Sequence, residues 1–164
     1  MKIPYRSIIV GVLAIAASAA VLDRAQAGGD HYFPPVTDQK VKAECGSCHL
    51  AFAPSMLPAS SWKRMMADLQ NHFGDDASID DATNTHITRY LLANAADANG
   101  RRYSSKLMRG VSVDNAPLRI TELPKWKREH REVPDWEWKH RDVRTKANCT
   151  ACHADAERGY YEDD

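Results

Sequence analysis

All four cysteines in the chain fall into two pentapeptides, Cys45-Gly-Ser-Cys48-His49 and Cys149-Thr-Ala-Cys152-His153. In each, two thiols are separated by two residues and followed at once by an imidazole. This is the spacing by which two thiols add to the vinyl groups on one side of a porphyrin while the next histidine turns under the ring to ligate its iron, the c-type haem attachment signature. Its occurrence twice predicts two covalently attached haem c groups, bound through Cys45, Cys48, Cys149 and Cys152, with His49 and His153 as metal ligands.

Other chemistries use paired cysteines and fit less well. Disulfides leave both histidines unexplained. A four-thiolate zinc site needs its pairs close in sequence, and here 100 residues separate Cys48 from Cys149. A thioredoxin-like redox motif needs a βαβ setting, which neither pair has.

The sixth position of each iron decides what the protein can do. His31, His72, His86, His130 and His140 remain as candidates. His72 is the first choice for the first haem, because it falls on the apolar stripe of an expected helix, where an unpartnered imidazole is costly. For the second haem His130 is favoured, one turn from Trp126 on a shared helical face, with His140 as its rival in a run of charged and aromatic residues. His31 and His86 read as surface residues. Met56, Met65, Met66 and Met108 offer the Met/His alternative, which raises the haem potential, although a helical methionine such as Met65 ordinarily packs.

Several elements must position these side chains. A helix is expected from Thr37, as N-cap, to Cys48, closed by the first motif. A second starts at Ser60 or Ser61 and carries Trp62, Met65, Leu69 and Phe73 at helical spacing until Gly74. A third runs from near Asp80 with Ile87, Tyr90 and Leu91 on one face, ending before Asn99-Gly100. Beyond Gly100 the periodicity fades into a connector, a short helix from Thr121 through His130, an interruption at Pro134 and a Trp-rich irregular stretch. The fold class expected is mainly α, with a helical haem domain over 28–100 and a second haem domain over 101–164 that has little regular structure.

Residues 1–27 read as a signal peptide: Lys2 and Arg6 precede an apolar run from Ile8 to Leu22, too short to cross a bilayer comfortably, and Ala25-Gln26-Ala27 is a small-x-small cleavage pattern. Export to a bacterial periplasm follows, with cleavage near Ala27 and no membrane insertion afterwards. The mature chain has 137 of the 164 residues. Setting aside Lys2, Arg6, Arg24 and Asp23 from 22 basic and 22 acidic residues leaves 19 and 21. That balance gives no support to nucleic-acid binding. Basic residues concentrate between Arg101 and Arg144 and acidic ones in the tail, an asymmetry able to orient a docking partner. A mature chain with so few apolar residues needs help to complete its core, and two haems supply that volume.

With these motifs placed, the chain resembles the dihaem cytochrome c family of bacterial periplasmic proteins. The likeness extends to Leu57-Pro58-Ala59-Ser60-Ser61-Trp62, His72-Phe73-Gly74-Asp75, Arg119-Ile120-Thr121 and the stretch from Asn148 to Gly159. The resemblance implies a class I cytochrome c-like first domain and low-potential, bis-histidyl haems, which places His72 and His130 as distal ligands. It also implies redox protein partners, such as a small haem protein with an open iron or a membrane cytochrome. The function expected is single-electron transfer, not catalysis. The alternative is a haem enzyme of peroxide or oxygen chemistry with one open or labile iron, and the surplus of histidines argues against it.

Overall fold

The computed structural model describes residues 31–98, 106–112 and 115–162. The expected signal peptide and its cleavage point lie outside them. Among the described residues the regular structure is helical, with two isolated bridges and no strand. No helix among them is long and apolar enough to cross a membrane.

Helix α1 spans Gln39–Cys45. Its N-cap is Asp38, whose Oδ1 accepts from the Val41 amide at 3.0 Å, and not Thr37, which instead donates its amide to the Tyr90 hydroxyl. Asp38 wins because an ionised oxygen there both caps the helix and meets the positive end of its dipole. The helix stops at Gly46, inside the first motif, so Cys48 and His49 lie in the turn beyond it.

Helix α2 spans Ala59–Met66. Ser60 and Ser61 lie inside its first turn, and neither is the cap. The Ala59 amide is taken by the Asp97 carboxylate at 2.8 Å, while the buried Ser61 hydroxyl donates to the Pro117 carbonyl at 2.7 Å. The expected continuation to Gly74 does not occur. Asp68 leaves helical geometry at φ −143°, and Asn84 donates to the Met66 carbonyl at 2.9 Å, satisfying one of the groups at the helix end. A single 3-10 turn follows at Leu69–Asn71, then a tight turn that includes Phe73 at φ 57° and Gly74 at φ 111°.

Helix α3, Asp81–Ala93, starts at the expected place: the Asp80 carboxylate accepts from the Thr83 amide at 3.0 Å. It packs on both α1 and α2. Val41, Leu57, Trp62, Ile87 and Leu91 are all buried there, and the same core continues through Leu107 to Leu123 in the second half of the chain.

The second half has shorter elements. After a 3-10 turn at Ile120–Glu122, α4 spans Pro124–Glu129 and α5 spans Asp135–Trp138. Proline starts both: Pro124 is the first residue of α4, where its missing N–H costs nothing, and Pro134 is the N-cap of α5. The expectation of an irregular stretch after Pro134 is corrected to that extent. Two 3-10 turns, Cys149–Ala151 and Ala156–Arg158, complete the tail. The tail is fastened to the other end of the described chain: Phe33 donates to the Gly159 carbonyl at 2.8 Å and Tyr161 to the His31 carbonyl at 3.0 Å, around a bridge between Tyr32 and Tyr160.

Candidate haem sites

At the first motif, α1 delivers Cys45 half-buried and the turn delivers Cys48 and His49 exposed. The His49 ring stacks on Phe52, with centroids 4.9 Å apart, and its Nδ1 lies 2.7 Å from the Leu50 carbonyl. A carbonyl takes the proton of Nδ1 and so leaves the Nε2 lone pair for a metal.

His72 faces His49 with ring centroids 6.2 Å apart and planes 15° from parallel. It does so from the turn after the Leu69–Asn71 segment and not from a helical face. The turn is closed by the His72 amide donating to the Asp75 carbonyl at 2.9 Å and the Asp75 amide donating back at 3.2 Å. The Phe73 ring lies 4.8 Å from His72 and is covered by the Arg119 guanidinium at 3.9 Å. Burial first, then the neighbouring His49 and Arg119, hold His72 below the ordinary histidine range. Its buried Nδ1 has no hydrogen-bond partner among the described residues.

At the second motif the 3-10 turn Cys149–Ala151 starts at one thiol and is capped by the other, Cys152, and the His153 amide donates to the Cys149 carbonyl at 2.8 Å. Asn148 ties the approach by donating to the Asp142 and Val143 carbonyls. His130 lies opposite His153 with ring centroids 6.0 Å apart and planes 79° from each other. His130 is the C-cap of α4; its Nδ1 lies 2.9 Å from the Trp126 carbonyl and its ring stacks on Trp126 at 4.1 Å. Tyr161 flanks His153 at 5.6 Å, edge-on.

The remaining candidates lie elsewhere. His140 is exposed and turned to Asp142. His86 is half-exposed and pairs with Asp38 at 2.8 Å, and His31 is held by its backbone at the tail. Met56 and Met66 are buried in the core, with Met65 packed against it. The thiols form no disulfide. Burial pushes Cys45 up and Cys149 up to about 11, opposite to the lowered thiol of a disulfide oxidoreductase.

Both sites suit the group the motifs call for. With a metal–imidazole bond of about 2 Å on each side and a ring centre about 1 Å behind each ligating nitrogen, two imidazoles on one iron have centroids about 6 Å apart. Both histidine pairs have that spacing. Reading the sequence alone did not single out Phe52, Arg119, Trp138 or Tyr161 as packing around these imidazoles: Arg119 reaches His72's neighbour Phe73 from a distant segment, while Phe52, Trp138 and Tyr161 lie in stretches with no period to mark them.

Two haem-attachment motifs on a helical fold with no strands among its described residues define a two-haem c-type cytochrome. The chain belongs to the dihaem cytochrome c family, whose profile, described as "Dihaem cytochrome c", matches residues 41–161. It is similar to the diheme cytochrome c of Rhodobacter sphaeroides, at 46% identity over 77% of this chain and 98% of that one, with a TM-score of 0.70. A second structure from that organism gives 45% identity and a TM-score of 0.64, with the same coverage. The diheme cytochrome of Shewanella baltica is 34% identical over 76% of this chain and 86% of its own, with a TM-score of 0.62. No curated protein matches the chain. The protein accordingly carries two covalently bound haem c groups.

Proposed function

We propose that this cytochrome is a periplasmic carrier of single electrons in which both irons are closed by histidine, the first by His49 and His72, the second by His130 and His153. Each haem supplies a one-electron iron couple when bound. The chain's own residues do the rest. Cys45, Cys48, Cys149 and Cys152 would hold the porphyrins, the two imidazoles of each pair would ligate the iron and keep substrate from it, and the packed core joins the two halves of the chain. The observation that carries this reading is the 6 Å separation in each histidine pair.

Near-infrared magnetic circular dichroism of the oxidised protein tests it, because bis-histidine and Met/His ligation absorb in different regions. Two bis-histidyl bands are expected; a Met/His band or a high-spin haem overturns the reading. Its location follows from Ala25-Gln26-Ala27, and N-terminal sequencing of exported protein is expected to begin at Gly28. For partners we propose redox proteins, a small haem protein with an open iron or a membrane cytochrome, steered by the basic 101–144 segment and the acidic tail.

A further inference from the structure

We propose that Trp126 is a positioning residue that sets the plane of the His130 imidazole, and thereby the electronic state of the second iron. The inference rests on His130 and His153 sharing that iron. His130, the C-cap of α4, lies one turn beyond Trp126 in that helix, and an aromatic pair at that spacing ordinarily adds a little helix stability. Here it does more, because Trp126 holds His130 in two ways. The indole lies face to face with the imidazole, with centroids 4.1 Å apart and planes 12° from parallel. Its backbone carbonyl also lies 2.9 Å from His130 Nδ1. Turning the imidazole about its Cβ–Cγ bond drives it into the indole and breaks the Nδ1 contact together.

The indole is itself backed. Trp138, from α5, lies 5.7 Å from Trp126 and 6.0 Å from His130, and the Lys146 ammonium lies 5.3 Å from the Trp138 ring and 6.0 Å from that of Trp126. His153 is oriented separately, with its ring edge-on to Tyr161. The 79° angle between the imidazoles therefore depends on a wall of tryptophan on one side. At the first site no tryptophan among the described residues lies against either ring, and the imidazoles lie 15° from parallel.

The angle matters because an imidazole donates π density perpendicular to its plane. Parallel rings load one iron orbital and split the pair; crossed rings load both and leave them nearly equal in energy, which makes the low-spin ferric signal highly anisotropic. Electron paramagnetic resonance of the oxidised two-haem protein is then expected to show one rhombic and one highly anisotropic signal of equal integrated intensity. In Trp126→Leu the anisotropic signal is expected to be lost and replaced, at equal intensity, by one shifted toward the rhombic type, with the first haem's signal unmoved. Trp126→Phe, which keeps a ring, is expected to shift it less.

An unchanged anisotropic signal in Trp126→Leu, with both haems attached, overturns the inference. If Trp126→Leu fails to retain its second haem, Trp126→Phe decides: a shifted signal supports the role and an unshifted one overturns it. Failure of the ligand reading looks different, because the wild-type protein itself then lacks two bis-histidyl bands in the near-infrared.

Discussion

The His49 and His72 imidazoles face each other 6.2 Å apart and nearly parallel, although one comes from the turn closing α1 and the other from a turn beyond α2. In His72→Ala, the haem is expected to stay attached at Cys45 and Cys48 while its iron opens. Half of the haem then becomes high-spin and binds carbon monoxide on reduction, against none in the wild type. An unchanged low-spin absorption spectrum excludes His72 as the ligand. His49→Ala is expected to impair maturation of that site, giving about one haem per chain by the pyridine haemochrome assay.

His130 and His140 make opposite predictions. On the proposed ligation, removing the imidazole stacked on Trp126 is expected to open the second iron, whereas removing His140, exposed beside Asp142, is expected to leave it closed. Carbon monoxide titration is expected to give one binding equivalent in His130→Ala and none in His140→Ala. The reverse result moves the ligand to His140.

Gly159 holds a backbone geometry on which the pairing of the 31–33 segment with the tail depends. It sits at φ 89°, and a Cβ there meets the Phe33 carbonyl oxygen at 2.1 Å. Left-handed geometry alone costs an ordinary residue about 1–2 kcal/mol, and the collision adds to it. Gly159→Ala is thus expected to lose more than about 2 kcal/mol in denaturant unfolding, with the 31–33 segment freed from the tail. Equal midpoints and slopes for variant and wild type disprove this.

Asp38 gives the fold an acid sensitivity of known sign. The Val41 amide first, then the partner His86, hold its carboxyl below the ordinary carboxylate range. A group lowered on folding contributes stability that is complete above the unfolded value of about 3.9 and is lost as pH falls through the lower folded value. Asp38→Asn keeps an oxygen for the cap but has no charge to titrate. The melting temperature of the wild type is expected to exceed that of Asp38→Asn near neutral pH and to converge on it in strong acid. A constant difference across that range rules this out.

The attachment residues were legible because covalent chemistry fixes both residue type and spacing. The start of helix α3 was legible as well, since its cap and its stripe agree, although it ends at Ala93, well short of Asn99-Gly100. The second helix was overextended because Leu69 and Phe73 continue the apolar period, yet what ends it is remote: Asn84 reaches back to the Met66 carbonyl, and Phe73, 40% exposed, packs beneath Arg119. His72 was singled out for a helical face it does not occupy, and its position opposite His49 comes from the 72–75 turn. Periodicity carries no record of such contacts between distant segments. For the same reason it missed the pairing of residues 31–33 with the tail, which has no pattern in either strand-like piece.

That pairing also sets an order of events. Residues 31–33 are among the first described parts of the chain to be synthesised and residues 159–161 among the last, so their contact closes a loop around almost everything between them, the slow kind of contact to form. Tyr161, which flanks His153, arrives with it. The first pair of imidazoles, His49 and His72, comes from nearby segments and is only then joined by Arg119 over Phe73, whereas the second site is finished only when the last residues return to meet the beginning.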